Sequence, residues 1–465
     1  MSAARSVLRP LLCALGLVVL LGGCGDVARP GEAAVNGGSV PPIPPQPRCA
    51  AVPALAQGQH LVTSWRTAPG DALITHLLSG MTVRQAFAPH RSGSQMRLRL
   101  SNRYSQAPVT IENLHIALEQ SRGAAALVPD SSCPLTFAGR RRVTIAAGES
   151  VVSDLIHYPV NAFERLAVSF YAPTAVVQLT RHLIANETLY ISGPGDYSAD
   201  PSGAAFVPMP NSYTNNFLII EALEIAAPRT VTTLVAVGDS ITDGSDSTTA
   251  PLQGGASAMT GRDERYPNHL QRRLDAAGLP LTVANAGLGG NELLGAGLLP
   301  QFGQGLLDRL ETDVLSVTGA SHVLAMIGTN DIGNAPPGQL PTAEALVAGY
   351  TRLIERVQDA GLKIVLGTIP PAEGTVIEGL PIPIVNQLPF GVQHGTAEAR
   401  QTRDAVNQWI RSQTLSDGIV DFDACLTDPE RPGYLNPAFN SGDNLHPNPQ
   451  GYAAMADCVD LRLFR

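Results

Sequence analysis

Lysine is almost missing from this chain. Lys363 is the only one, so nearly all of the 31 basic side chains are arginine. A bias of that kind follows genome composition and points to no function. An excess of positive charge is missing too. The 40 acidic residues outnumber the basic ones and give a formal net charge of −9, which argues against a protein that holds nucleic acid by counterion release. No Cys-x-x-Cys and no His-Glu-x-x-His occurs, so a cysteine-rich zinc site or a zincin is not expected. The apolar run at residues 11–21 is too short to span a bilayer.

What is present is organised in four parts. Arg5 and Arg9 precede that apolar run, and Leu21-Gly22-Gly23-Cys24 follows it. This resembles a bacterial lipobox, which implies a lipoprotein-type signal peptide at residues 1–24, cleavage before Cys24 and a lipid on its thiol. The expectation is export to the bacterial cell envelope, at the outer membrane or in the periplasm, with membrane contact by the lipid anchor only. Release to the exterior and an ordinary cleaved signal peptide stay open. Residues 25–48 are rich in Pro, Gly and Ala and read as an extended linker. Beyond Cys13 and Cys24 four cysteines remain, Cys49, Cys133, Cys425 and Cys458. In an exported chain an even number implies disulfides. One pair in each domain, Cys49–Cys133 and Cys425–Cys458, is the expected choice among three connectivities.

Residues 49–228 read as an all-β accessory domain, a sandwich or jelly roll. Met96, Leu98 and Leu100 alternate with polar neighbours, as do Leu114, Ile116 and Leu118. Short apolar runs follow at 143–145, 151–155, 166–171, 176–179, 189–191 and 217–223, with turn residues between them. Nothing in this part names a ligand. Its surface could bind carbohydrate or simply shield the domain that follows.

From residue 229 to 465 strands alternate with helices. Strands are predicted at 234–237, 281–284, 322–327, 362–369 and 419–422, and helices at 266–277, 342–360, 398–411 and 449–461. That alternation implies a parallel sheet covered on both faces, a three-layer α/β/α domain. Reactive groups should gather at the C-terminal ends of its strands.

Four loops fall at those ends or just before the last helix. Gly238-Asp239-Ser240 follows the first strand, Asn285-Ala286-Gly287-Leu288-Gly289-Gly290-Asn291 the second, and Gly328-Thr329-Asn330-Asp331 the third. Asp443-Asn444-Leu445-His446-Pro447 precedes the closing helix. A serine hydroxyl needs a base to become a nucleophile, and His446 can supply it. Asp443, three residues earlier, can fix the tautomer of that base. The oxyanion formed on attack needs donors, which the Ser240 amide, a glycine amide and the Asn330 side chain can provide. Each piece also has a structural reading: Asp239, Ser240 and Thr242 as helix caps, Gly289 and Gly290 as turn residues, Asn330 and Asp331 as caps of the loop after their strand, Asp443 and His446 as a surface pair. Their order along the sheet favours the chemical reading of the set.

These motifs resemble those of the SGNH hydrolases, also called GDSL esterases and lipases, over roughly residues 230–464. GDSIT is similar to block one and implies Ser240 as nucleophile, with Ile241 in place of the leucine of the name. NAGLGGN is similar to block two and implies Gly290 as the oxyanion glycine, with Gly289 the near alternative. GTND implies Asn330, and DNLHP implies Asp443 and His446. There is no Gly-x-Ser-x-Gly elbow at Ser240. Through RLRLSNRY and FAGRRRVTI the β part is similar, more diffusely, to the N-terminal region of a two-domain subgroup of esterases acting on acetylated plant polysaccharides.

The resemblance implies a serine ester hydrolase that works through an acyl-enzyme and needs no metal or organic cofactor. Its expected partner is a small ester or an acetylated polysaccharide, with deacetylation or short-chain ester hydrolysis the first choice. A lipase, an arylesterase, an acyltransferase and an inactive carbohydrate-binding surface protein are the alternatives. Residues 371–396, rich in proline and apolar side chains, are expected to be either a lid over the site or an inert insertion.

Overall fold

The computed structural model describes residues 48–70, 78–176, 179–209, 215–247, 257, 259–296, 302–336, 338–375 and 393–465. The expected signal peptide, Cys24 and residues 25–47 lie outside these, as do residues 376–392 of the insertion. Among the described residues no helix is long and apolar enough to cross a membrane.

The β region is two antiparallel sheets face to face. One carries the order Ala50–Ala51, Ile156–Val160, Gly93–Ser101, Ile220–Pro228, Gln59–Arg66. The other runs Phe206–Pro208, Tyr190–Pro194, Met81–Phe87, Leu166–Ala172, Val109–Leu118, Cys133–Pro134. The alternation seen in the sequence does its expected work. Met96, Leu98 and Leu100 on one sheet and Leu114 and Ile116 on the other enter one core with Val168, Phe170 and Leu223. Trp65 stacks on Phe87 within it, ring centroids 4.1 Å apart. Cys49 and Cys133 are bonded here.

Several elements depart from the sequence reading. Met81–Phe87 was not legible as a strand because it buries Thr82, Arg84 and Gln85 along with its apolar residues, which erases the period of two. The Arg84 guanidinium is satisfied by the carbonyls of Ala125, Tyr197 and Asp200 and by Ser169 Oγ. The run 217–223 is two strands rather than one. Phe217–Leu218 pairs with Arg181–His182, and at Ile219 a φ of 54° turns the chain so that Ile220–Pro228 joins the sheet of Gly93–Ser101 and Gln59–Arg66. Of the run 176–179, Val176 makes only an isolated bridge to Leu78, and residues 177–178 lie outside the described set.

The second region holds five parallel strands in the order Leu281–Gly287, Thr232–Gly238, Ala320–Met326, Lys363–Gly367, Gly418–Val420. In sequence terms this is 2-1-3-4-5, the flavodoxin-like arrangement. Strand Thr232–Gly238 lies between its two neighbours and feeds both helical layers. Val235 and Val237 face the helices Leu306–Leu310, Ala343–Asp359 and Ala397–Ser412, and Leu234 and Ala236 face Tyr266–Ala276 and Pro449–Asp457. Helix 306–310 was not anticipated. The closing helix stops at Asp457, four residues before the expected end. Cys458 caps it and is bonded to Cys425, and Asp460 starts a separate turn by accepting from Arg462 N.

The two regions share a polar and ionic boundary. Thr63 N donates to Thr318 O at 3.0 Å and to Thr233 Oγ1 at 3.2 Å. Arg66 pairs with Glu221 beside it and with Asp313 across the boundary, each at 3.0 Å. His90 and His182 of the β region also reach across, to Val283 O at 2.6 Å and to Asp243 at 2.9 Å.

Candidate active site

The buried strand Thr232–Gly238 ends where its neighbour Leu281–Gly287 ends in register, Gly238 opposite Gly287. The chain then turns into the short helix Ser240–Asp243, with Ser240 at its first position. Asp239 is the cap, its Oδ1 accepting from Ile241 N at 3.0 Å. The capping role and the chemical role therefore belong to adjacent residues rather than competing for one. Gly287 is required by packing: a Cβ there would sit 2.4 Å from Asp243 N. That close approach lays the helix of Ser240 against the second strand.

At the other end of the chain a tight turn brings Asp443 and His446 together. Asp443 Oδ1 accepts from Leu445 N at 3.0 Å and from His446 N at 2.8 Å, which folds the segment back on itself. Asn444 takes a φ of 57° in the middle. Asp443 Oδ2 is then 2.6 Å from His446 Nδ1, and His446 Nε2 is 2.9 Å from Ser240 Oγ. The carboxylate can only accept, so Nδ1 donates to it and Nε2 is left to accept from the serine hydroxyl. Ser247 binds this turn to the serine loop: its N donates to Ser441 Oγ at 2.9 Å and its Oγ to Ser441 O at 2.6 Å.

The electrostatics follow from burial and from this pairing. Burial alone would raise the Asp443 carboxyl. The imidazolium charge of His446 and its hydrogen bonds outweigh that and hold Asp443 at about 2. Burial pushes His446 down, but the Asp443 charge and hydrogen bond, with Asp239 and Asp246 farther off, lift it above the usual imidazole value. Asp239, buried and bonded through Ile241 N, is pushed up by burial to about 7.

Of the two glycines left open by the sequence, Gly289 donates its amide to Asp243 Oδ2 at 3.1 Å. Gly290 follows with a φ of 76°, a conformation that favours glycine, and the Phe302 ring lies where a Cβ would go. Asn330 Nδ2 donates to Asn291 O at 3.0 Å, which uses one of its two hydrogens. The Asp331 carboxylate ties the loop by accepting from Leu293 N at 2.7 Å and Leu294 N at 2.9 Å.

Sequence reasoning missed the residues behind these loops. Arg309, fully buried, donates to Gly238 O at 3.1 Å, Ala286 O at 3.0 Å and Asn291 Oδ1 at 2.9 Å. It therefore holds the ends of the first two strands and the loop at Asn291 at once. Asp313 Oδ2 pairs with it at 3.0 Å and, through Oδ1, with Arg66 of the β region. The available signal was an arginine and an aspartate four apart, Arg309 and Asp313, in a stretch whose Leu306, Leu307, Leu310 and Val314 recur at helical spacing. Among the described residues no cluster of three or more His, Cys, Asp or Glu side chains is placed to hold a metal ion.

Comparison with known proteins bears on the same stretch. Residues 236–454 match the model of the GDSL-like Lipase/Acylhydrolase family. No curated protein matches the chain. Among solved structures the chain is similar to Axe2, an acetylxylan esterase from Geobacillus stearothermophilus, at 25% identity over 50% of this chain and 94% of that one, with a TM-score of 0.33. It is also similar to LAE5, an alpha/beta hydrolase enzyme from the metagenome of Lake Arreo, at 20% identity, 50% and 94% coverage and a TM-score of 0.34. A GDSL-like lipase from Bacteroides thetaiotaomicron gives 16% identity, 50% and 87% coverage and a TM-score of 0.32. Residues 236–454 are thus a GDSL-like lipase/acylhydrolase domain, that of a carboxylic ester hydrolase.

Proposed function

We propose that the chain hydrolyses esters through an acyl-enzyme on Ser240. The observation that carries this reading is the continuous path from Asp443 through His446 to the Ser240 hydroxyl, at 2.6 Å and 2.9 Å. Ser240 Oγ attacks the ester carbonyl while His446 Nε2 takes its proton. The C–O bond to the alcohol breaks as His446 returns that proton to the leaving oxygen. Water then attacks the acyl-enzyme by the same route and frees the acid and the serine. The oxyanion is received by the Ser240 amide, the Gly290 amide and the second Asn330 Nδ2 hydrogen.

The proposed substrate is a short acyl ester, an acetylated polysaccharide before a long-chain lipid. That preference rests on the diffuse resemblance of the β part, through RLRLSNRY and FAGRRRVTI, to esterases acting on acetylated plant polysaccharides. The proposed setting is the bacterial cell envelope, with the chain anchored through Cys24. The disulfides Cys49–Cys133 and Cys425–Cys458 support an oxidising compartment.

A fluorophosphonate should label Ser240 in the wild type and leave Ser240→Ala unlabelled. Rates on p-nitrophenyl esters from acetate to palmitate, beside acetylated xylan, should fall with acyl length. Folded protein that neither labels nor hydrolyses any of these would instead support a binding role. Loss of one donor in Asn330→Ala should lower kcat by about 10²- to 10³-fold with KM little changed. A loss confined to KM would remove Asn330 from the oxyanion hole.

A further inference from the structure

The Gly289 amide and a histidine of the β region meet on the same carboxylate. Asp243 closes the short helix that Ser240 opens, and it is buried. Its Oδ2 accepts from Gly289 N at 3.1 Å, and its Oδ1 is 2.9 Å from His182 Nε2. His182, also buried, has Ala68 O at 2.8 Å from Nδ1 and Ile184 O at 3.1 Å from Nε2. A carboxylate and two carbonyls can only accept, so the His182 ring is held among three acceptors, with Nε2–H directed at Asp243 and Ile184 O. Two residues on from His182, the Ile184 Cδ1 atom lies 2.5 Å from where a Cβ on Gly289 would be. The β region thus grips the segment from Asp243 to Gly289 by a hydrogen bond and by contact.

We infer that His182 is a positioning residue for the oxyanion hole, acting through Asp243 on Gly289 and so on the placement of the Gly290 amide. This rests on the serine-esterase reading above. Gly290 sits between two fixed points. Gly289 is held by the Asp243–His182 pair, and Asn291 is held by Arg309 through Oδ1 and by the Phe302 and Gln304 carbonyls through Nδ2. Asn291 O in turn accepts from the Asn330 side chain. A donor aimed at the oxyanion stabilises the tetrahedral state more than the bound ester, so misplacing it lowers kcat and leaves substrate binding nearly alone. A residue that served stability alone would lower Tm without moving kcat of the folded enzyme.

The test measures kcat and KM on p-nitrophenyl acetate and the affinity for phenylboronic acid, whose tetrahedral serine adduct places an oxygen in the oxyanion hole. The full chain is used as wild type, His182→Ala, His182→Gln and Asp243→Asn. His182→Ala should lose about 10- to 100-fold in kcat with KM near the wild-type value, and boronate affinity should fall in parallel. Gln can still donate one hydrogen bond to Asp243, so His182→Gln should recover part of both losses. Should His182→Ala fail to fold, the same two readouts on His182→Gln and Asp243→Asn decide the matter. Wild-type kcat and boronate affinity in the folded variants, or a loss confined to KM, would overturn the role of His182. Fluorophosphonate labelling of wild-type Ser240 is scored first. Its absence would overturn the serine reading itself, whereas labelling with unchanged boronate affinity in the variants would overturn only the positioning role.

Discussion

At the scale of single residues, Ser240, His446 and Asp443 form one path of hydrogen bonds, and their losses should behave as those of one unit. Ser240→Ala and His446→Ala are each expected to lower kcat by about 10³-fold or more, and the double variant should be hardly worse than either. Single-turnover kinetics on p-nitrophenyl acetate check this, and near-additive losses would mean that the two do not act together. The pH profile tests the same path from the side of charge. Only neutral His446 can take the serine proton, so kcat/KM should fall as pH drops through the raised value of His446. Burial pulls that value down and the Asp443 charge lifts it past the ordinary one. Asp443→Asn removes the lift and leaves the burial. Its midpoint should therefore move to lower pH even as kcat falls. A midpoint that stays in place would show that Asp443 does not supply the charge.

Between elements, the β region and the parallel sheet meet through histidines whose roles follow from their neighbours. His90 donates from Nδ1 to Val283 O in the second strand of the parallel sheet and accepts at Nε2 from Asn268 of helix Tyr266–Ala276, at 2.6 Å and 2.7 Å. That arrangement requires the neutral ring. Burial pushes His90 down to about 4, against the Val283 hydrogen bond and Asp263, with Arg272 and Arg265 adding to the lowering. A base whose folded value lies below its unfolded one adds stability that is complete above about 6.5 and is lost as pH falls toward about 4. The stability advantage of wild type over His90→Ala in urea titrations should shrink across that window. Taking the difference cancels buried carboxyls such as Asp239, held up at about 7, whose effect runs the other way. An advantage independent of pH would show that the neutral ring is not what joins the two elements.

For the molecule as a whole, the boundary between the β region and the parallel sheet encloses buried polar and charged groups. Asp313 is fully buried between Arg309 and Arg66, and Asp243 between Gly289 and His182. Deleting one partner of a buried ion pair costs about 3–5 kcal/mol, because the other charge loses its compensation. Residues 229–465 expressed alone lose Arg66 and His182 together. That fragment should be poorly soluble or melt well below the full chain, with lower kcat in whatever fraction folds. Thermal melts and active-site titration check this, and a soluble fragment with the kcat of the full chain would refute it.

Local patterns determined much of this protein. Apolar strands alternating with amphipathic helices specify a parallel sheet, and the sheet specifies where Ser240, the glycine loop and Asn330 emerge. Asp443 and His446 stand three residues apart, so one turn suffices to join them, and no distant contact is needed to foresee it. The tertiary structure alone decided which glycine is already engaged, and that Asp239 caps while Ser240 faces the base. It also brought His182 and Arg66, 61 and 247 residues away from their partners Asp243 and Asp313, into contact with them. Periodicity records which face of an element is buried, but not which charge will be waiting on the surface that buries it. That depends on how two regions dock, and a buried ion finds its partner only once they have.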